Sequence, residues 1–274
     1  MKINNRPFGC EFEVSTSFQT LKKIIAPIIK KIYGKYQLYA REETFDSDTR
    51  TNKWHLKLEP SSVSEFCTPI STFKDIKRIC QVIEELDKND IKITNDDSLH
   101  VHVSIPDVDP KHIIATWLQY DYEIKRCFPK HRWDKDKEAY NDEILKYKGK
   151  KKRVADFLKD AISSSESHQS ILSFSNYEER KTVEFRISEG TLDPEHVYCW
   201  IKFCLYLVNY AKTIEDPILL VCEELNQKTL YEMMDDLDID DERVLDWLIK
   251  RRGKKRKERV RQSLKKHWIP LNRL

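Results

Sequence analysis

Glycine is scarce in this chain, with five residues in 274. That scarcity excludes the glycine-rich phosphate loops: no G-x-x-x-x-G-K-[ST] and no G-x-G-x-x-G run occurs. There is no H-E-x-x-H helix, and none of the seven cysteines forms a C-x-x-C pair. Zinc-site spacing and a disulfide framework are therefore absent, and the odd count predicts reduced thiols in a cytosol-like compartment. No apolar run approaches the roughly 20 residues that cross a bilayer, so no membrane partner is expected. The polar stretch Met1 to Arg6 leads straight into a strand-like segment, which predicts no signal peptide and a cytoplasmic protein.

What is present is charge: 35 % of residues are Asp, Glu, Lys or Arg, against about 25 % in ordinary soluble domains. The 49 basic and 46 acidic residues nearly cancel, so the net charge of +3 does not call for a polyanionic partner. The distribution is uneven, however. An acidic run, Asp235 to Glu242, precedes the basic segment Arg251-Arg252-Gly253-Lys254-Lys255-Arg256-Lys257.

Periodicity predicts an α+β fold. Strands are expected at 7–15, 36–45, 53–59, 64–68, 98–105, 170–175 and 181–188, with the polar turn Asp46 to Asn52 joining the second and third. Helices are expected at 18–33 and 72–88, from Asp109-Pro110 to about Cys127, and from Asp193-Pro194 to about Lys212. Both Asp-Pro pairs place a cap before proline at the first helical position. Residues 129–168 are charged and poor in aliphatics, and read as a helical insertion or lid. After Asp216-Pro217 the chain reads as helices only.

Three strands carry polar, metal-capable residues at i and i+2: Glu11 and Glu13, His100 and His102, Glu184 and Arg186. That spacing points both side chains of each pair to one face, with Phe12, Val101 and Phe185 on the other. Glu59 and Glu65 lie between the first and second pairs. Four or five carboxylates on one face repel one another unless a cation offsets them. Hard divalent ions take oxygen ligands, and magnesium combines a few carboxylates with substrate phosphates. The set suits a metal–nucleotide site in which Arg186 and Arg132 help to hold phosphates. Gly9 and Gly190 flank two of the motifs, where backbone freedom is expected to matter.

The ordered motifs Phe8-Gly9-Cys10-Glu11-Phe12-Glu13, Trp54 to Ser61, Glu65-Phe66-Cys67-Thr68-Pro69, Leu99-His100-Val101-His102-Val103, Val183-Glu184-Phe185-Arg186 and Gly190-Thr191-Leu192-Asp193 resemble the amidoligase family. That family belongs with glutamine synthetase and glutamate–cysteine ligase. The resemblance spans about residues 7–212. It implies a curved antiparallel sheet of glutamine synthetase-like type, with helices on its convex face and ATP and metals on its concave one. It implies a catalytic domain over 1–212 and a helical C-terminal extension over 213–274. It also implies a reaction, in which ATP activates a carboxylate as an acyl phosphate and an amine displaces phosphate.

Carried over by position, Glu13, Glu59 and Glu65 surround one metal, and Glu11, His100 and Glu184 hold the one nearer the transferred phosphate. The implied ion is Mg2+, or Mn2+. His102 faces the substrate pocket, and Arg186 stabilises the phosphoryl group. Arg132 matches a basic position before the family's variable insertion. Two stretches depart from the pattern: Glu59-Pro60-Ser61 replaces Asp-Gly-Ser, and Asn95-Asp96-Asp97-Ser98 replaces a glycine-bearing turn. The substrates would be a small-molecule or peptide carboxylate and an amine. Two other readings stay open: a nucleic-acid-binding protein using the basic C-terminal stretch with Trp268 beside it, and a phosphotransferase or metal-dependent hydrolase on the same sheet.

Overall fold

The computed structural model describes residues 5–34, 38–40, 52–58, 64–133, 147, 149–164, 170–223 and 228–253. Strands β1 (Phe8–Val14), β2 (Leu38–Ala40), β3 (Trp54–Leu58), β4 (Ser64–Cys67), β5 (Ser98–Ser104), β6 (Leu172–Ser173) and β7 (Thr182–Glu189) form one sheet in the order β2-β3-β4-β1-β5-β7-β6. The α+β class expected from periodicity is thus present. All pairs are antiparallel except β2–β3, which run parallel in the register Leu38↔Trp54. The polar turn expected between those two strands, Asp46 to Asn52, lies outside the described residues except for Asn52.

The described helices are α1 (Phe18–Tyr33), α2 (Ile76–Asp87), α3 (Pro110–Lys125), α4 (Lys151–Ser164), α5 (Tyr177–Arg180), α6 (Pro194–Ala211), α7 (Pro217–Glu223), α8 (Leu230–Asp236) and α9 (Glu242–Arg252). Asp109 and Asp193 cap α3 and α6 as expected, accepting from Lys111 N and Glu195 N at 2.8 and 2.9 Å. The approach to α2 is tighter than periodicity suggested. Thr72 and Asp75 form a reciprocal cap around a 3-10 turn, Phe73–Asp75, before the α-helix begins.

Strand alternation decides where the core lies. Cys10, Phe12 and Val14 of β1 are buried on one side with Phe66, Val101 and Phe185. Helices cover that side. The Phe185 ring lies 6.1 Å from Trp117 of α3 and 6.2 Å from Trp200 of α6. On β3, next to the edge strand β2, Tyr33 of α1 meets Trp54 edge-on at 5.7 Å. Each aromatic of this kind, once buried, contributes on the order of 2–3 kcal/mol of transfer free energy. The polar residues of the same strands have the opposite face to themselves.

Helices α7–α9 join the same apolar core through Leu220, Met233, Val244 and Trp247. Arg252 of α9 pairs with Glu123 of α3, both nearly buried. Of the segment read as an insertion, residues 130–132 form a 3-10 turn and 151–164 a helix; 134–146 lie outside the described residues. No described helix is long and apolar enough to cross a membrane. All seven cysteines are free thiols, as their count and spacing indicated.

Candidate metal and substrate site

Sheet register arranges the polar face into three rungs. The first runs Lys57–Glu65–Glu13 across β3, β4 and β1. The second runs His55–Cys67–Glu11–His100 and reaches β5. The third runs Gly9–His102–Glu184–Ser173 to β6. Between the pairs Leu99–Ser188 and Val101–Phe185 the register slips, so His100 alone faces Arg186 and Ile187. Such a bulge re-aims side chains. Here it brings His100 and Glu184 together although they belong to neighbouring rungs.

The centre is a four-residue cluster. His100 Nδ1 lies 3.1 Å from Glu184 Oε1 and 3.7 Å from Glu11 Oε2. His102 Nε2 lies 3.2 Å from Glu11 Oε1 and 3.7 Å from Glu184 Oε1. Both ring nitrogens are buried, yet neither is aligned to hydrogen-bond. Arg186 donates to Glu184 Oε1 at 2.7 Å.

Ser98 fixes the tautomer of His100. Its hydroxyl donates to Glu13 in a short hydrogen bond and lies 2.7 Å from His100 Nε2. A hydroxyl has one proton. With that proton directed at the carboxylate, Ser98 accepts from Nε2–H, and in the neutral imidazole Nδ1 is then the unprotonated nitrogen, beside Glu184 and Glu11. That arrangement is repulsive until a cation arrives, and a second partner orienting the imidazole is the usual companion of a metal-ligating histidine. Glu11, His102 and Glu184 also present ligand atoms within 4.8 Å of one another. The donor set fits a divalent ion that accepts oxygen and imidazole ligands.

The fields are strong. Burial opposes ionisation of Glu11, but His102, His100 and Lys57 outweigh it and hold its carboxyl well below the usual range. Burial likewise opposes a charged His102, while Glu11 and Glu184 prevail and raise its pKa above the ordinary imidazole value.

Not every expected residue enters the cluster. Glu13 shares the face but is held by Ser98. Glu65 lies nearer Glu11, and its Oε1 takes Lys57 Nζ at 3.0 Å and the Cys67 thiol at 3.0 Å. Glu59 lies outside the described residues. Arg132 donates to the backbone carbonyl of Arg186 at 3.0 Å, bracing β7. Sequence reasoning missed Lys57, Cys67 and Ser98, although the parity that selected Glu11 and His100 selects them too. Each lies two residues from a residue already chosen.

The glycine expectation needs correcting, since neither Gly9 nor Gly190 has a positive φ. A Cβ at Gly190 would come within 2.8 Å of Asp97 Cβ and 3.0 Å of its carbonyl carbon, so this position demands close approach. Gly9 would meet only Thr68 Oγ1, at 4.0 Å. Asp97 in turn accepts from Thr94 N at 2.6 Å, which shapes the turn ahead of Ser98 and His100.

The family model described as "Putative amidoligase enzyme" matches residues 116–208. The chain is amidoligase-like over that segment. The resemblance read from the motifs is therefore met, on a stretch that carries Arg132, Glu184 and Arg186. No curated protein matches. Among solved structures, the complex between prokaryotic ubiquitin-like protein Pup and its ligase PafA is similar at 12 % identity with a TM-score of 0.39. The likeness covers 90 % of this chain, which spans 58 % of that one.

Proposed function

We propose that this protein is an ATP- and magnesium-dependent ligase that joins a carboxylate to an amine through an acyl phosphate. The observation that carries the reading is the pair of buried, unbonded ring nitrogens, His100 Nδ1 and His102 Nε2, held against Glu11 and Glu184. The amidoligase-like segment supports it from the sequence side. Residues 1–212 form the catalytic unit in this reading, and 213–274 an extension.

Glu11, His100, His102 and Glu184 would hold the divalent ion, with Glu13, Glu59 and Glu65 as the remaining acids of the pocket. Bound there, Mg2+ or Mn2+ would offset phosphate charge and polarise the transferred group. In the first step the substrate carboxylate oxygen attacks the γ-phosphorus, the bond to the β-phosphate oxygen breaks, and ADP leaves. In the second the amine nitrogen attacks the acyl carbon, phosphate departs and the amine loses a proton. Arg186 stabilises the equatorial oxygens of the phosphoryl group. Arg132 keeps Arg186 in place through its backbone, and His102 borders the acid's pocket.

The test is ATP turnover with Mg2+ across a panel of amino acids, polyamines and peptides. A ligase releases phosphate and ADP only when acid and amine are both supplied. Release without an amine would indicate a phosphotransferase or hydrolase. The basic stretch behind the nucleic-acid reading lies, from Lys254 on, outside the described residues; Arg251 and Arg252, at its start, turn inward onto Glu189 and Glu123.

A further inference from the structure

We propose that the Lys57 ammonium is a built-in cation that takes the Glu65 end of the pocket, so that the nucleotide-free protein binds one divalent ion rather than two. This rests on the ligase reading of the site and narrows it. The family resemblance implied a second ion among Glu13, Glu59 and Glu65. Glu11, Glu65 and Cys67 do present ligand atoms within 4.8 Å of one another, but Glu65 Oε1 already takes two donors of this chain.

Lys57 and Glu65 are directly opposed across β3 and β4. The ammonium lies 3.0 Å from Glu65 Oε1, and the Cys67 thiol donates to that same oxygen at 3.0 Å. Glu65 is 3 % exposed and the Lys57 side chain 29 %, so water is kept from the carboxylate end of the pair and reaches the ammonium only in part. A divalent ion on that oxygen would sit against a fixed positive charge a few ångströms away. Glu13, next along the rung, already accepts from Ser98.

Among the described residues, the face carries two cationic side chains, Lys57 and Arg186, and each is already paired with a carboxylate of the face, Glu65 and Glu184. Any further metal would have to arrive with the phosphates of the nucleotide.

Mn2+ binding without nucleotide tests this, by calorimetry and by the loss of the free-ion electron paramagnetic signal. Wild type and Lys57→Arg should each bind one ion. Lys57→Met, with no charge to repel it, should bind a second with at least tenfold tighter affinity than any second ion shows in wild type. Because Lys57→Met could misfold, Glu65→Gln in the otherwise unchanged chain gives an independent arm. It should keep one ion, with affinity within about threefold of wild type. Two ions in wild type and Lys57→Met alike would overturn the Lys57 proposal and leave the ligase reading standing, as would loss of the single ion in Glu65→Gln. No ion in any variant would sink both.

Discussion

The hydroxyl of Ser98 stands between Glu13 and His100, 2.7 Å from the imidazole Nε2, with its one proton committed to the carboxylate. A residue outside the four-residue cluster thus orients one of its imidazoles. Ser98→Ala should weaken Mn2+ binding about 10- to 100-fold, the usual cost of removing a partner behind a metal-bound histidine. Ser98→Thr should recover most of it. Unchanged affinity in Ser98→Ala would detach the tautomer argument from the metal.

Glu184 meets His100, His102 and Arg186 at once. Glu184→Gln and His100→Ala should each cut ATP turnover at least about 100-fold, while circular dichroism stays that of wild type. Glu13→Gln is expected to lose turnover as well, through Ser98. Normal turnover in two of the three variants would remove the metal assignment.

Arg252 and Glu123 are 7 % and 5 % exposed and bind α9 to α3. Arg252→Ala leaves a buried carboxylate alone and should cost about 3–5 kcal/mol in a denaturant melt. Replacing both, as Arg252→Met with Glu123→Leu, should restore most of that loss. A pair that mattered only at the surface would give a small loss in the first variant.

His196 reports on acid stability. Arg251 lies 3.0 Å from its Nδ1 and Ser188 Oγ 2.9 Å from its Nε2. Burial, then the Arg251 charge, push its pKa down to about 3. The folded protein therefore refuses a proton that the unfolded chain takes near pH 6.5. This stability is fully present above pH 6.5 and is lost progressively as pH falls toward 3. At pH 5.5 the loss from this residue should be about 1 kcal/mol, read as a drop in Tm from neutral pH. His196→Gln should flatten that slope between pH 7 and 5.5.

The polar face was legible because strand parity is a local rule. Glu11 and Glu13, His100 and His102, Glu184 and Arg186 each follow from a spacing of two beside buried Phe12, Val101 and Phe185. The capped starts of α3 and α6 were legible for the same reason, since Asp-Pro signals act within three residues. The β2–β3 pairing was not, because parallel register depends on which edge remains open after β4 and β1 have paired.

The sequence by itself determined the strands, which side of each is apolar, and which residue types could meet a cation. Only the tertiary structure decided the company each one keeps. The His100 bulge, the Ser98–Glu13 hydrogen bond and the Lys57–Glu65 pair are all contacts between different strands or across a register slip, and no spacing along the chain encodes them. Electrostatic outcome follows distance in space. Lys57 meets Glu65 only because β3 lies beside β4.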